Sequence, residues 1–222
     1  MKLNNKRTIL VGLAFLSICA FWQMYDSIVP LILTKTFHMN ETFSGAIMAA
    51  DNILALFLLP FFGSVSDKSH SKLGKRMPFI LFGTGCAIIL MNILPLLDNS
   101  YAAQPSGFKT ASFVIVLGLL LVAMGTYRAP AVALMPDVTP KPLRSRANAI
   151  INLMGAVGGI LYLGVAAVLY PNSKTAGLDH VNYQPLFIVV SAIMFVAVAV
   201  LFLTIREPKL TAENQALEKQ HP

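Results

Sequence analysis

The stretch GSVSDKSHSKLGKRMPF, Gly63 to Phe79, decides how this chain is read. It sets four basic residues, one aspartate and two glycines between long apolar runs. Of the 222 residues, 56% are hydrophobic and 12% charged, whereas soluble domains carry about 25% charged residues, so a water-soluble globule is excluded. Apolar stretches near 20 residues recur on both sides, each long enough as a helix to cross a hydrocarbon layer of about 30 Å. They fall at roughly 8–33, 43–64, 77–97, 110–133, 147–170 and 185–205. The predicted fold class is therefore all-α integral membrane. A bundle of six transmembrane helices occupies residues 1–205, and a mixed-charge tail or the start of a central linker occupies 206–222.

The net charge of +7 follows from topology rather than from nucleic acid. Of the 17 Lys and Arg, only Lys35, Lys109 and Lys174 fall in the loops after spans one, three and five. The others, from Lys2 to Lys219, crowd the opposite side. The positive-inside rule then predicts that both termini are cytoplasmic and that the charge faces anionic membrane lipids. The N-terminal run resembles an export signal, but Ile18 stands where cleavage needs a small residue, and the apolar pattern continues. Cys19 and Cys86 both lie inside spans, so neither a disulfide nor a metal site is expected. The sequon Asn40-Glu41-Thr42 reads as an ordinary helix entry.

Ionisable groups inside a span are costly unless they face a cavity or a partner. Asp26 and Asp51 are placed about 5 Å to the outer side of the midplane, at roughly 1.5 Å rise per residue. Two carboxylates at matching depth on adjacent helices can share or relay a proton. Arg128, on the inner half of span four, is their natural counter-charge. Asn148 and Asn152 lie one turn apart on one face of span five, suited to a sugar-like ligand or to interhelical bonding. Trp22 and Tyr25 are able to stack on a sugar ring or to pack against neighbouring helices. Gly155 to Gly159 forms a small-residue surface for close helix contact. Gly63 is expected to permit close approach at the end of span two, and Gly74 to relax the turn. Tyr25-Asp26 before Pro30 is echoed by Tyr127-Arg128 before Pro130, as two inverted three-helix repeats would produce.

Gly63-Ser-Val-Ser-Asp67-Lys68, followed by Lys72-Leu-Gly74-Lys75-Arg76-Met-Pro78-Phe79, resembles the loop between helices two and three of the major facilitator superfamily. The spacing is similar to the sucrose transporter and glycoside–pentoside–hexuronide branches. Arg128 with Ala133-Leu-Met-Pro-Asp137 behind it, and Arg146-Ala-Asn148 through Gly159 and Tyr162, resemble their fourth and fifth helices. The resemblance implies one six-helix half of a secondary transporter, carrying a sugar or glycoside together with protons. Proton coupling would rest on Asp26, Asp51 and Arg128, and substrate contact on Trp22, Tyr25, Asn148 and Asn152. Gly63, Asp67, Lys68, Gly74, Lys75, Arg76 and Asp137 would form the inner gate. Leu59 and Ala55 stand where a related sodium-coupled branch places aspartates, which speaks against a sodium site.

Family transporters have two such halves, so a second six-helix half, as a separate chain or a second copy, is the expected partner. Export, another small organic solute, and a non-transporting membrane module remain open alternatives. The spans hold no His/Glu metal pair or Ser/His spacing, so no enzyme activity, metal or cofactor is expected. At a helix C-terminus the dipole disfavours Asp67, which should therefore seek a partner, either Arg128, Arg144 or Arg146 nearby or a helix N-terminus beyond this chain.

Overall fold

The computed structural model describes residues 3–220; Lys2, counted above among the inner charges, and the last two tail residues lie outside the described residues. Helix α1 spans Asn5–Leu31 and continues through a π-helical turn, Ile32–Thr36. It is followed by α2 (Glu41–Asp67), α3 (Met77–Ala103) and α4 (Gly107–Asp137). A short 3-10 turn, Lys141–Leu143, leads into α5 (Arg144–Leu169). A single turn, α6 (Asn172–Thr175), precedes α7 (Gln184–Thr204) and the tail helix α8 (Glu207–Gln220). Six of the described helices are long and apolar enough to cross a membrane: α1 with its π turn, α2, α3, α4, α5 and α7.

Local chemistry explains the helix ends. Asn4 caps α1 by accepting the Arg7 N–H at 3.1 Å, and Asn40 caps α2 by accepting the Phe43 N–H at 2.7 Å. The sequon asparagine thus commits its side-chain oxygen to helix entry. Helices α3 and α4 run past their apolar stretches to Ala103 and Asp137, and α4 does so through Pro130 and Pro136.

Helix α1 is the buried axis, packed chiefly against α5 and α7, while α3 packs on α4 and α7. Contacts between α1 and α5 and between α2 and α4 interleave the first three spans with the later ones. The α1–α5 crossing depends on missing side chains. A Cβ on Gly158 would overlap the Leu16 backbone, and one on Gly155 would lie 2.8 Å from Cys19 Sγ. Gly83 likewise lets α3 touch the Tyr127 backbone of α4. Without a strong hydrophobic drive inside lipid, such close backbone contact supplies the association. Gly63 differs from expectation. Nothing lies within 4 Å of where its Cβ would stand, so it permits no close approach.

Helix α2 is the least buried span, with only Ser44 and Ser66 buried along its length. It presents Ile53, Leu56, Phe57 and Phe61 outward, an apolar face fit for lipid or another protein. The tail, read from the sequence as a cytoplasmic tail or the start of a central linker, is helical. The first residue of that helix, Glu207, is 2% exposed.

Gly158→Ala is expected to lower thermal stability in detergent by roughly 1–3 kcal/mol, the usual cost of overpacking a tight contact. Gly63→Ala, in open space within a helix, is expected to be neutral or stabilising by about 0.5–1 kcal/mol. Melting midpoints of the two variants against the parent check both.

Candidate functional site

A cavity of about 510 Å³ opens between α1, α2, α4 and α5, lined among others by Cys19, Trp22, Asp26, Asp51, Asn52, Arg128 and Asn152. Its geometry starts with a bolt between helices. The buried Tyr127 hydroxyl donates to the Ala14 carbonyl at 3.0 Å and meets Ser17 Oγ at 2.5 Å. That tether fixes the rotation of α4 against α1, so the next residue, Arg128, faces the cavity. The Arg128 guanidinium lies 5.5 Å from the Trp22 ring centroid, a cation–π placement worth about 0.5–2 kcal/mol. Among the described residues, no ion pair within 4 Å joins Arg128 to Asp26 or Asp51. The Trp22 indole Nε1 and Asp51 Oδ1 are buried and have no hydrogen-bond partner among the described residues. The cavity therefore holds one cation, two carboxylates, an indole and two amides whose bonding capacity is not consumed internally.

Five of the residues expected in this region converge here: Trp22, Asp26, Asp51, Arg128 and Asn152. Two do not. Tyr25 is fully buried, stacked on Phe21 at 6.0 Å and edge-on to Trp22 at 5.3 Å, because it lies on the core side of α1. Asn148, one turn from Asn152 toward the inner end, is exposed but does not line the cavity. Asn52 was missed in the sequence, although an Asp-Asn pair inside an apolar span was a legible signal. Ala55 and Leu59, with Leu54, Leu58 and Leu121, line a narrow crevice that Trp22, Asp51 and Arg128 also border, and Ala55 reaches the cavity itself.

The second cluster lies at the end of the bundle rich in Lys and Arg, where the end of α2, the start of α3 and the end of α4 meet. Arg76, 6% exposed, donates Nε to Asp137 at 2.8 Å, Nη2 to Asp67, and Nη1 to the Gly63 carbonyl and Ser66 Oγ. Burial works against its charge, but the hydrogen bond and field of Asp137, joined by Asp67, hold the guanidinium above its ordinary pKa. Asp67 thus finds its cation in Arg76, nine residues along the chain, and not in Arg128, Arg144 or Arg146. A neighbour in the same loop needs less chain ordering than one on another helix. The sequence reading missed Glu207. Its carboxylate accepts the backbone N–H groups of Lys75, Arg76 and Met77 at 2.7–3.1 Å, capping an α3 start that has no side-chain cap of its own. Gly74 adopts φ +109°, and a Cβ there would strike this carboxylate. Lys68 and the Lys75 side chain are exposed, outside the network.

Glu207→Ala is expected to destabilise the inner face by about 1–3 kcal/mol, since it strands three buried donors. Arg76→Lys should cost a similar amount despite its retained charge, because an ammonium cannot reproduce the fork. Thermal melts and protease cleavage near Ile205-Arg206 measure both effects.

The sequence model of the Major Facilitator Superfamily matches residues 11–222. The sucrose transport protein SUC3 of Arabidopsis thaliana is 35% identical over 158 residues, covering 66% of this chain and 26% of that protein. The sucrose transport protein SUT3 of Oryza sativa subsp. indica is 36% identical over 154 residues, covering 63% and 30% respectively. Solute carrier family 45 member 3 of Homo sapiens is 25% identical over 186 residues, covering 82% of this chain and 34% of that protein. The chain therefore spans about a third or less of the length of the curated relatives it matches. Six apolar spans, a polar cavity among them and an arginine–carboxylate latch beneath accompany a family match over nearly the whole chain, and the protein is a multi-pass membrane protein of the Major Facilitator Superfamily.

Proposed function

We propose that this chain forms one wall of a secondary transporter that moves a sugar or glycoside with protons by alternating access. The observation that carries the reading is the cavity, where Arg128 rests on Trp22 beside two carboxylates instead of pairing with them. Protonation of Asp26 or Asp51 would change the charge that Arg128 meets, and Arg128 would then exchange partners as substrate enters. Trp22 would offer an apolar face and a free N–H to a sugar ring, with Asn52 and Asn152 as amide partners. The printed names of the sucrose transport relatives agree with this substrate class. Rocking of halves about a midplane site is the motion such architectures use.

The partner in this reading is a second six-helix half, provided by further residues, another chain or another copy. It would cover the apolar face of α2 and close the cavity. Asp67, Arg76, Asp137 and Glu207 would hold the inner end of this half together as that gate opens and closes. The charge distribution supports a cell-membrane protein with cytoplasmic termini, its basic inner rim facing anionic lipids. No chemical conversion is assigned to any residue, and transport in this reading is not enzymatic.

The test uses proteoliposomes containing this half with a complementary half, an imposed inward pH gradient and labelled sucrose. Arg128→Leu is expected to lower proton-driven uptake at least about tenfold at unchanged protein level, the scale of a lost charged hydrogen bond. Uptake that ignores the pH gradient, or that survives Arg128→Leu, would overturn proton coupling through this cavity. Uptake of a solute that is neither a sugar nor a glycoside, in place of sucrose, would overturn the substrate class.

A further inference from the structure

At the outer end of the bundle, the ring of His180 sits where three elements meet. Its Nδ1 lies 3.2 Å from Thr36 Oγ1 on the π turn ending α1, and 4.0 Å from Asp98 Oδ1 on α3. Its Nε2 lies 2.9 Å from Asn99 Oδ1. His180 belongs to the loop between α6 and α7, so these contacts fasten that loop to α1 and α3. Asp98 is wholly buried, yet neither carboxylate oxygen has a hydrogen-bond partner among the described residues.

A chain of hydrogen bonds decides which ring nitrogen is able to change state. Asn182 Oδ1 accepts the Gln184 backbone N–H at 3.0 Å, which identifies that atom as the oxygen. Asn99 Nδ2 donates to the same Asn182 oxygen at 2.9 Å, so Asn99 turns its own oxygen toward His180. Nε2 must therefore carry hydrogen in every state. Only Nδ1 is free to gain or lose a proton, and it faces Thr36 and Asp98. Thr36 has one hydroxyl hydrogen to offer, either to Nδ1 or to the carboxylate.

An ionised carboxylate buried beside a neutral ring would have the Thr36 hydroxyl as its one donor and no counter-charge, which is strongly unfavourable. Neighbouring groups do not compensate for it. Lys109 gives its ammonium to the Ser100 and Gln104 carbonyls, and Lys35 and Asp179 are exposed. Tyr183, which faces Asp98, is a phenol, and so is Tyr170, whose hydroxyl donates to the Asn182 carbonyl. We propose that Asp98 and His180 together bind one proton, and that this proton clasps the loop before α7 to the outer ends of α1 and α3. Proton and carboxylate need each other only while the clasp is shut. When it opens to water above neutral pH, the carboxylate ionises, the ring is neutral and the proton leaves. The open-to-closed ratio then rises with pH for as long as the closed pair keeps its proton, by up to about tenfold per pH unit. Because α1 also carries Trp22 and Asp26, the clasp connects outer proton concentration to a helix that lines the cavity. This inference does not depend on which solute the cavity accepts.

Hydrogen exchange of the 170–183 backbone, divided by its intrinsic rate, tests the idea on the full chain in lipid nanodiscs between about pH 7 and about pH 9. The parent should open progressively more often as pH rises, by up to about tenfold per pH unit. Asp98→Asn keeps the shape and removes the charge, so its loop should stay protected with no such slope. His180→Gln should be open already at neutral pH, and the double variant should again show no slope. A flat parent profile, a slope that persists in Asp98→Asn, or a His180→Gln loop as protected as the parent's would each overturn the clasp.

Discussion

The Glu207 carboxylate accepts three backbone N–H groups at the start of α3, and the inner half of the structure is organised around that cap. A helix N-terminus carries unsatisfied donors and a positive field, and here a residue more than a hundred positions away satisfies both. Holding α3 at that point also sets Arg76, its N-cap, where the guanidinium reaches Asp67, Ser66 and Gly63 of α2 and Asp137 of α4. Gly74 turns with positive φ because the cap occupies the space a side chain would need. Tail, loop and three spans are thus joined through one carboxylate and one guanidinium.

The middle of the bundle is held differently. Glycines on α5 let α1 approach until backbone meets backbone, and Tyr127 locks α4 onto the same helix through Ala14 and Ser17. These contacts leave α1 little freedom to rotate. Its Trp22 and Asp26 consequently face Arg128 and Asp51 across a shared space. Among the cavity's polar atoms, Trp22 Nε1 and Asp51 Oδ1 are buried without a hydrogen-bond partner among the described residues.

Much of this was legible in the residues, and the misses are instructive. Asp26, Asp51 and Arg128 stood out because an ionisable group inside a span is costly and so signals a cavity or partner. Asn152 and Asn148 shared a helical face, yet a face has length, and only Asn152 falls at cavity depth. Tyr25 and Trp22 looked equivalent, but a rotation of three residues along α1 sends one ring to the core and the other to the cavity edge. Glu207 carried no local signal. In sequence it is one acid in a mixed-charge tail, and its role exists only once the tail folds back beneath α3.

The sequence by itself determined six membrane-crossing helices, the side on which positive charge collects, and the family to which the chain belongs. Those properties rest on local hydropathy, on charge counts and on a short motif, none of which needs distant contacts. The tertiary structure decided which side chains meet. Asp67 takes Arg76, Arg128 takes the face of Trp22, and Asp98 meets His180 at 4.0 Å. Periodicity assigns a residue to a face of a helix, but the depth and rotation of that helix are set by backbone approach at glycines and by a few buried polar ties, and these arise only when the helices pack.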